Sequence, residues 1–331
     1  MTIDIHTHIM PEHMPNWVKR FGYGDFIHLE HRNCQACMMK GDKLFRQVDA
    51  NCFRAEDRFR DMERTGIDKQ VLSTIPVLFN YWAKAADALE TSRFLNDHIA
   101  ETTQQHPDRF IGLGTVPLQD PDSAIDELHR CVGELGLAGV EIGTNVNGVN
   151  LSDPRFRPFF EAAEKLQCAL FIHPWDMMGE EQMQDYWLPW LVGMPAETTR
   201  AICSLIFGGI LESFPRLRIA FAHGGGSFPY TLGRIQHGFD VRPDLVAKHN
   251  NIAPENYLGK FWVDSLVHDA KALSFLIDSI GDHSICVGSD YPFPLGEEFP
   301  GHLLNPTIYS QETIARIRSG NAQDWLFGKT A

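Results

Sequence analysis

Eight short apolar runs, separated by helix-length segments and lacking a Gly-x-Gly-x-x-Gly turn after the first, predict a (β/α)8 barrel. The runs cover residues 2–6, 70–75, 110–116, 139–143, 169–173, 218–223, 261–264 and 285–289. Each has the length and the bulky apolar content of a buried parallel strand. Helical patterning predicts helices over 55–66, 92–105, 121–135, 153–166, 196–213 and 269–280. An open doubly wound sheet is the other architecture this order allows, and the missing glycine fingerprint weighs against it. With 331 residues, 44% of them hydrophobic, the chain suffices for one barrel spanning 1–331 around one core.

One connection breaks the rhythm. About 45 residues separate the first run from the helix at 55–66, far more than a βα loop needs. Residues 14–52 therefore read as a capping insertion. Within it, Phe26-Ile27-His28-Leu29-Glu30-His31 and Lys43-Leu44-Phe45-Arg46-Gln47-Val48 flank the turn Lys40-Gly41-Asp42, which suggests a small antiparallel sheet. A βα insertion sits at the end of a barrel where active sites form.

Charge and composition exclude several classes of function. The formal net charge is −14, and no basic run is present, so neither nucleic acid nor an anionic membrane is an expected partner. No stretch is long and apolar enough to span a bilayer. The start, Met-Thr-Ile-Asp-Ile-His, has no basic segment followed by an apolar one, so it is not a secretory signal. The seven cysteines are scattered without a disulfide framework, which fits a reducing, cytoplasmic setting.

The chemistry concentrates at strand ends. Alternation along Asp4-Ile5-His6-Thr7-His8 predicts Asp4, His6 and His8 facing the barrel axis, with Ile3 and Ile5 under the helices. His6 and His8 can then chelate one cation. By the same pattern Asp4 would support the ligands from behind. Three further runs end in a single ionisable residue: Ala-Leu-Phe-Ile-His173, Ile-Ala-Phe-Ala-His223 and Cys-Val-Gly-Ser-Asp290. Burying such groups one by one is costly, whereas a shared site at the barrel mouth accounts for all of them. Imidazoles with one carboxylate suit Zn²⁺, and Fe²⁺, Mn²⁺ or Co²⁺ can take the same set.

The strings HPWDMM, WLPWLVGMPAET, AHGGGSFPYTLGR and GSDYPFPLGE, together with His6-Thr7-His8, resemble the amidohydrolase superfamily and, within it, the metal-dependent non-hydrolytic decarboxylases. The resemblance extends over essentially the whole chain. It implies one Zn²⁺ held by His6, His8, His173 and Asp290, a water completing the shell, and no organic cofactor. It implies His223 as the catalytic base and Asp290 as a proton shuttle as well as a ligand. The implied substrate is a small conjugated dicarboxylate semialdehyde from aromatic catabolism. Arg46 would clamp one carboxylate with its planar guanidinium. Arg234 would reach the site of a partner subunit, which implies a homodimer. Trp190 and Phe293 would flank the flat substrate. The fourth run, Gly-Val-Glu141-Ile-Gly, lacks the lysine of binuclear relatives, which favours one metal, although Glu141 could bridge two.

Other readings stand beside this one. A hydroxybenzoate-type decarboxylase or a metal-dependent hydrolase shares the same ligands, and a non-catalytic metal-binding barrel would keep them without the base. Cys34-Gln35-Ala36-Cys37, with His28, His31 and Cys52 nearby, offers a second zinc site or simply free thiols.

Overall fold

The computed structural model describes residues 1–32 and 35–328. The chain opens with β1 (Ile3–His8), then leaves the barrel for α1 (Trp17–Phe21) and the strands β2 (Ile27–Arg32), β3 (Gln35–Lys40) and β4 (Lys43–Asp49). It returns through α2 (Ala55–Thr65) to β5 (Lys69–Ser73), α3 (Ala85–Gln105), β6 (Phe110–Thr115), α4 (Pro121–Gly133) and β7 (Gly139–Gly143). A small hairpin, β8 (Asn145–Val146) and β9 (Val149–Asn150), precedes α5 (Arg157–Leu166) and β10 (Ala169–His173). Then come α6 (Met194–Phe207), α7 (Ile210–Ser213), β11 (Arg218–Phe221), α8 (Phe228–Val241) and α9 (Pro243–Val246). The chain ends with β12 (Trp262–Asp264), α10 (Ala270–Ile280), β13 (Ile285–Cys286), α11 (Gln311–Ala315) and α12 (Asn321–Phe327).

Eight strands pair in parallel in the order β1-β5-β6-β7-β10-β11-β12-β13. The segment after β13 closes the ring onto β1, where Ile5 N donates to Val287 O at 2.8 Å and Asp290 N donates to His6 O at 2.9 Å. This is the predicted (β/α)8 barrel. Local signals set the helix ends. Asp120 accepts from Ser123 N ahead of Pro121 to start α4, and Asp269 accepts from Lys271 N and Ala272 N to start α10. The helix expected over 196–213 is broken in two, because Gly209 takes a left-handed backbone (φ 69°) between α6 and α7. Among the described residues no helix is long and apolar enough to cross a membrane.

Two apolar shells hold the barrel. The larger one lies between strands and helices and includes Leu72, Val140, Ile142, Ile172, Phe221 and Ile285. The smaller one fills the barrel floor with Ile3, Ile5, Val71, Leu113, Phe171 and Trp325. Trp325 of α12 plugs the bottom, and its indole N–H donates to Arg218 O at 3.2 Å.

The floor corrects the expected parity of β1. Ile3 and Ile5 lie inside the barrel, and Asp4 faces the α2 side, where its Oδ2 accepts from Ser289 Oγ at 2.5 Å. The β1–β5 register shifts between Asp4 and Thr7. This bulge inserts one residue, so His6 and His8 still point inward while Asp4 does not. Asp4 supports the site differently: its Oδ1 accepts from His6 N at 3.2 Å.

The strands β2, β3 and β4 form an antiparallel sheet. Its apolar face (Ile27, Ala36, Met38 and Val48) packs on Met10, Cys52, Phe53, Ile75 and Val77 at the barrel mouth. A second register shift, between Met38 and Met39, opposes β4 near Arg46. Cys34 of the Cys-x-x-Cys pair lies outside the described residues, and Cys37 is buried.

Candidate metal centre and active site

His6, His8, His173 and Asp290 meet at the C-terminal mouth of the barrel, each from a different strand end except the first two, and all four are buried. One ligand atom from each lies within 4.8 Å of every other. His8 Nε2 is 3.1 Å and His6 Nε2 is 3.6 Å from Asp290 Oδ1. Asp290 reaches this position on a left-handed backbone (φ 59°) at the end of its strand.

Each imidazole is anchored through its other nitrogen. His6 Nδ1 donates to Asp264 Oδ2 at 2.7 Å, His8 Nδ1 to Thr74 O at 2.8 Å, and His173 Nδ1 to Pro174 O at 3.0 Å. A carbonyl can only accept, so Nδ1 carries the proton and Nε2 presents a lone pair. The Nε2 atoms of His6, His8 and His173 are buried and make no hydrogen bond. Buried polar atoms are rarely left without a partner, and three converging on one carboxylate fit a cation.

The electrostatics suit the same occupant. Burial holds the His8 pKa below its ordinary value, and burial with three neighbouring imidazoles holds that of His173 well below. Burial opposes ionisation of Asp290, yet the imidazoles of His223, His8 and His6 around it hold its carboxyl well below the usual range. Neutral imidazoles with an ionised carboxylate are the states a divalent metal requires. Glu141, the candidate bridge, sits on β7 with Oε1 3.9 Å from His8 Nδ1, the nitrogen turned away from the centre. Burial raises its pKa well above the carboxylate range. It is not part of the ligand group. Among the described residues no second group of three or more ligating side chains forms.

His223 stands beside the group. Its ring centre is 5.1 Å from those of His6 and His173, and its Nε2 is 3.9 Å from Asp290 Oδ2. Its backbone is left-handed (φ 56°), and its N–H donates to Asp264 Oδ2 at 2.8 Å. Asp264 also accepts from Gly224 N and Leu266 N. One buried carboxylate thus orients a ligand and places His223. Sequence reading passed over Asp264, although it ends the seventh apolar run just as His173 and Asp290 end theirs.

A cavity of about 430 Å³ opens above the group, lined by His8, Arg46, His173, Trp175, Trp190, Asp290 and Phe293. The Arg46 guanidinium lies 4.4 Å from the Phe293 ring centre, and burial lowers its pKa while Asp290 opposes the shift. Trp190 lies on a π-helical turn, Pro189–Gly193. Such turns often re-aim side chains at functional sites. The connection bearing it is tied down by Glu197 of α6, which accepts from Met178 N at 2.7 Å, and by Asn145, which donates to Trp175 O at 3.1 Å. A neighbouring cavity joins His223 and Asp290 to Trp190, Leu191, Leu266 and His268. Arg234 is not brought to the site of its own chain: it is exposed on α8.

The amidohydrolase family model matches residues 3–328. The 2-amino-3-carboxymuconate-6-semialdehyde decarboxylase of Dictyostelium discoideum is 53% identical over 328 residues, covering 98% of this chain and 91% of that protein. Its Caenorhabditis elegans counterpart is 41% identical over 353 residues, covering 91% of this chain and 88% of that protein. Among solved structures, a 5-carboxyvanillate decarboxylase of Novosphingobium aromaticivorans with bound manganese superposes with a TM-score of 0.81 at 25% identity, covering 98% and 97% of the two chains.

Proposed function

The chain belongs to the amidohydrolase family, and we propose that it is a metal-dependent decarboxylase converting 2-amino-3-carboxymuconate 6-semialdehyde to 2-aminomuconate 6-semialdehyde. That substrate would place it in tryptophan breakdown through kynurenine or in a related aromatic catabolism. The observation that carries the reading is the convergence of three unpartnered Nε2 atoms and Asp290 beneath a cavity holding one arginine.

We assign the cation as Zn²⁺, held by His6, His8, His173 and Asp290; a set of imidazoles and one carboxylate supports that ion, and the manganese of the vanillate enzyme supports a divalent ion more broadly. When bound, the cation supplies a Lewis acid that stabilises negative charge developing on the substrate. The chain's own residues do the rest. Arg46 is desolvated, lies over Phe293 and has no carboxylate partner among the described residues, so it is poised to grip a substrate carboxylate. Trp190 and Phe293 line the cavity and can sandwich a planar conjugated chain. Their apolar surfaces exclude water, which strengthens every charge interaction inside. Cleavage of the carbon–carbon bond releases CO2 and leaves an electron pair that must take a proton. His223 holds and moves that proton at Nε2, and Asp290, 3.9 Å away, is the group it exchanges with.

The test is CO2 release from 2-amino-3-carboxymuconate 6-semialdehyde, with 2,6-dihydroxybenzoate assayed in parallel. Turnover of the semialdehyde, abolished by a chelator and restored by Zn²⁺, is expected. Preference for the hydroxybenzoate would move the chain to a different decarboxylase specificity, and chelator-resistant turnover would overturn the metal-dependent reading.

A further inference from the structure

We propose that Arg58, which touches neither cation nor substrate, is a positioning residue that fixes the directions of His8 and Asp290 and so sets the affinity of the site for its metal. The proposal rests on the metal-dependent reading above and deepens it.

Arg58 lies on α2, with no exposed surface. Among the described residues no carboxylate pairs with it. Its donors go to neutral acceptors: Nη1 to His8 O at 2.7 Å and to Asn51 O at 3.1 Å, Nη2 to Thr7 Oγ1 at 3.0 Å, and Nε to Gln70 Oε1 at 3.0 Å. The Tyr291 ring centre lies 4.8 Å from the guanidinium carbon. These contacts join the segments that carry two ligands. His8 is itself a ligand, and Tyr291 directly follows Asp290. The two segments also meet each other, with His8 N donating to Tyr291 O at 2.8 Å.

The arrangement is directional. Thr7 Oγ1 spends its proton on Val71 O at 2.8 Å, which leaves a lone pair for Arg58. Tyr291 is held from its far end, where its hydroxyl donates to Asp61 Oδ2 at 2.6 Å. A buried guanidinium is costly unless its donors are satisfied, and breaking such a set is strongly destabilising. Here the acceptors come from β1, the end of the cap insertion and β5, and the ring contact comes from the loop after β13. Only a planar, forked cation can reach them together, so lysine cannot replace it fully. The β1–β5 register shifts between Asp4 and Thr7, and Arg58 takes hold where regular pairing resumes, at Thr7 and His8.

The test is titration of the metal-free chain with Co²⁺ against a chromophoric chelator, with the visible spectrum of the Co²⁺ form recorded alongside. Arg58→Met is expected to weaken Co²⁺ binding roughly 10- to 100-fold, as loss of a supporting contact does, and to shift the Co²⁺ bands. Arg58→Lys should recover part of the affinity. Leu205→Ala, in the α6 core, should lower the melting temperature without changing either readout. Should Arg58→Met not fold, the near-isosteric Thr7→Val removes the Nη2 acceptor and should weaken binding several-fold. Wild-type affinity and spectrum in Arg58→Met or Thr7→Val would overturn the proposal, as would an equal loss of Co²⁺ affinity in Leu205→Ala at matched melting temperature. Failure of the wild-type chain to bind Co²⁺ would instead defeat the metal-dependent reading itself.

Discussion

His6 and His223 share one carboxylate, Asp264, and in the proposed reaction they divide the chemistry between them. Asp264 accepts the Nδ1 proton of His6 at 2.7 Å, which turns His6 Nε2 into a fixed lone pair. The same oxygen takes only the backbone N–H of His223, at 2.8 Å, and the His223 Nδ1 makes no hydrogen bond. The ligand ring is tautomerically locked, whereas no hydrogen bond at Nδ1 fixes the tautomer of the His223 ring. Locked and free imidazoles suit different tasks, metal binding and proton transfer. His223→Ala should therefore bind one metal per chain as the parent does, yet lose about 10²-fold or more in turnover. Metal content by atomic absorption and kcat from CO2 release measure the two separately. A fall in metal content would move His223 into the ligand set, and undiminished turnover would remove it from the chemistry.

Turns at the strand ends carry the next level of control. Gly226, between β11 and α8, has φ 64° and ψ −130°, and a Cβ there would meet Pro195 O at 2.2 Å. Both the conformation and the backbone oxygen exclude a side chain. Gly226→Ala should cost at least about 1–3 kcal/mol by denaturant unfolding, from backbone strain alone. Gly225→Ala, where the nearest atom is a side-chain carbon of Val263 at 3.1 Å, should cost less. Equal costs would show that the close approach to α6 is unimportant. What the sequence made legible was the site, in the apolar runs ending in His173, His223 and Asp290. A strand ending in one ionisable group has few alternatives to a site at the barrel mouth. What escaped was non-local. The bulge between Asp4 and Thr7 moves Asp4 to the outside and Ile5 to the inside, and simple alternation has no term for an inserted residue. Arg58 sits among the mixed charges of α2; its burial depends on acceptors supplied by β1, β5 and the end of the cap insertion. The early start of α3 at Ala85 and the break before α7 turn on packing and on one glycine conformation.

Across the whole molecule the net charge of −14 opposes a dianionic substrate, so local cations must outweigh the global field. Arg46 supplies one such cation within the chain. Arg234 lies on the exposed face of α8, near exposed Tyr230 and Val241 on the same helix, and the cavity wall continues into exposed Leu191 and Val192. Large apolar side chains at the surface in this density are characteristic of an interface. We therefore propose a homodimer in which Arg234 completes the partner's site. Complementation distinguishes this from action within one chain. Arg46→Ala and Arg234→Ala should each abolish most turnover alone. In a mixed dimer, the chain with intact Arg46 receives intact Arg234 from its partner, and the other site lacks both. Random re-pairing of equal amounts makes half the dimers mixed, each with one whole site, so activity should recover to about a quarter of the parent value. If Arg234 served its own chain, every site in every dimer would still lack one arginine, and mixing the two variants would restore nothing.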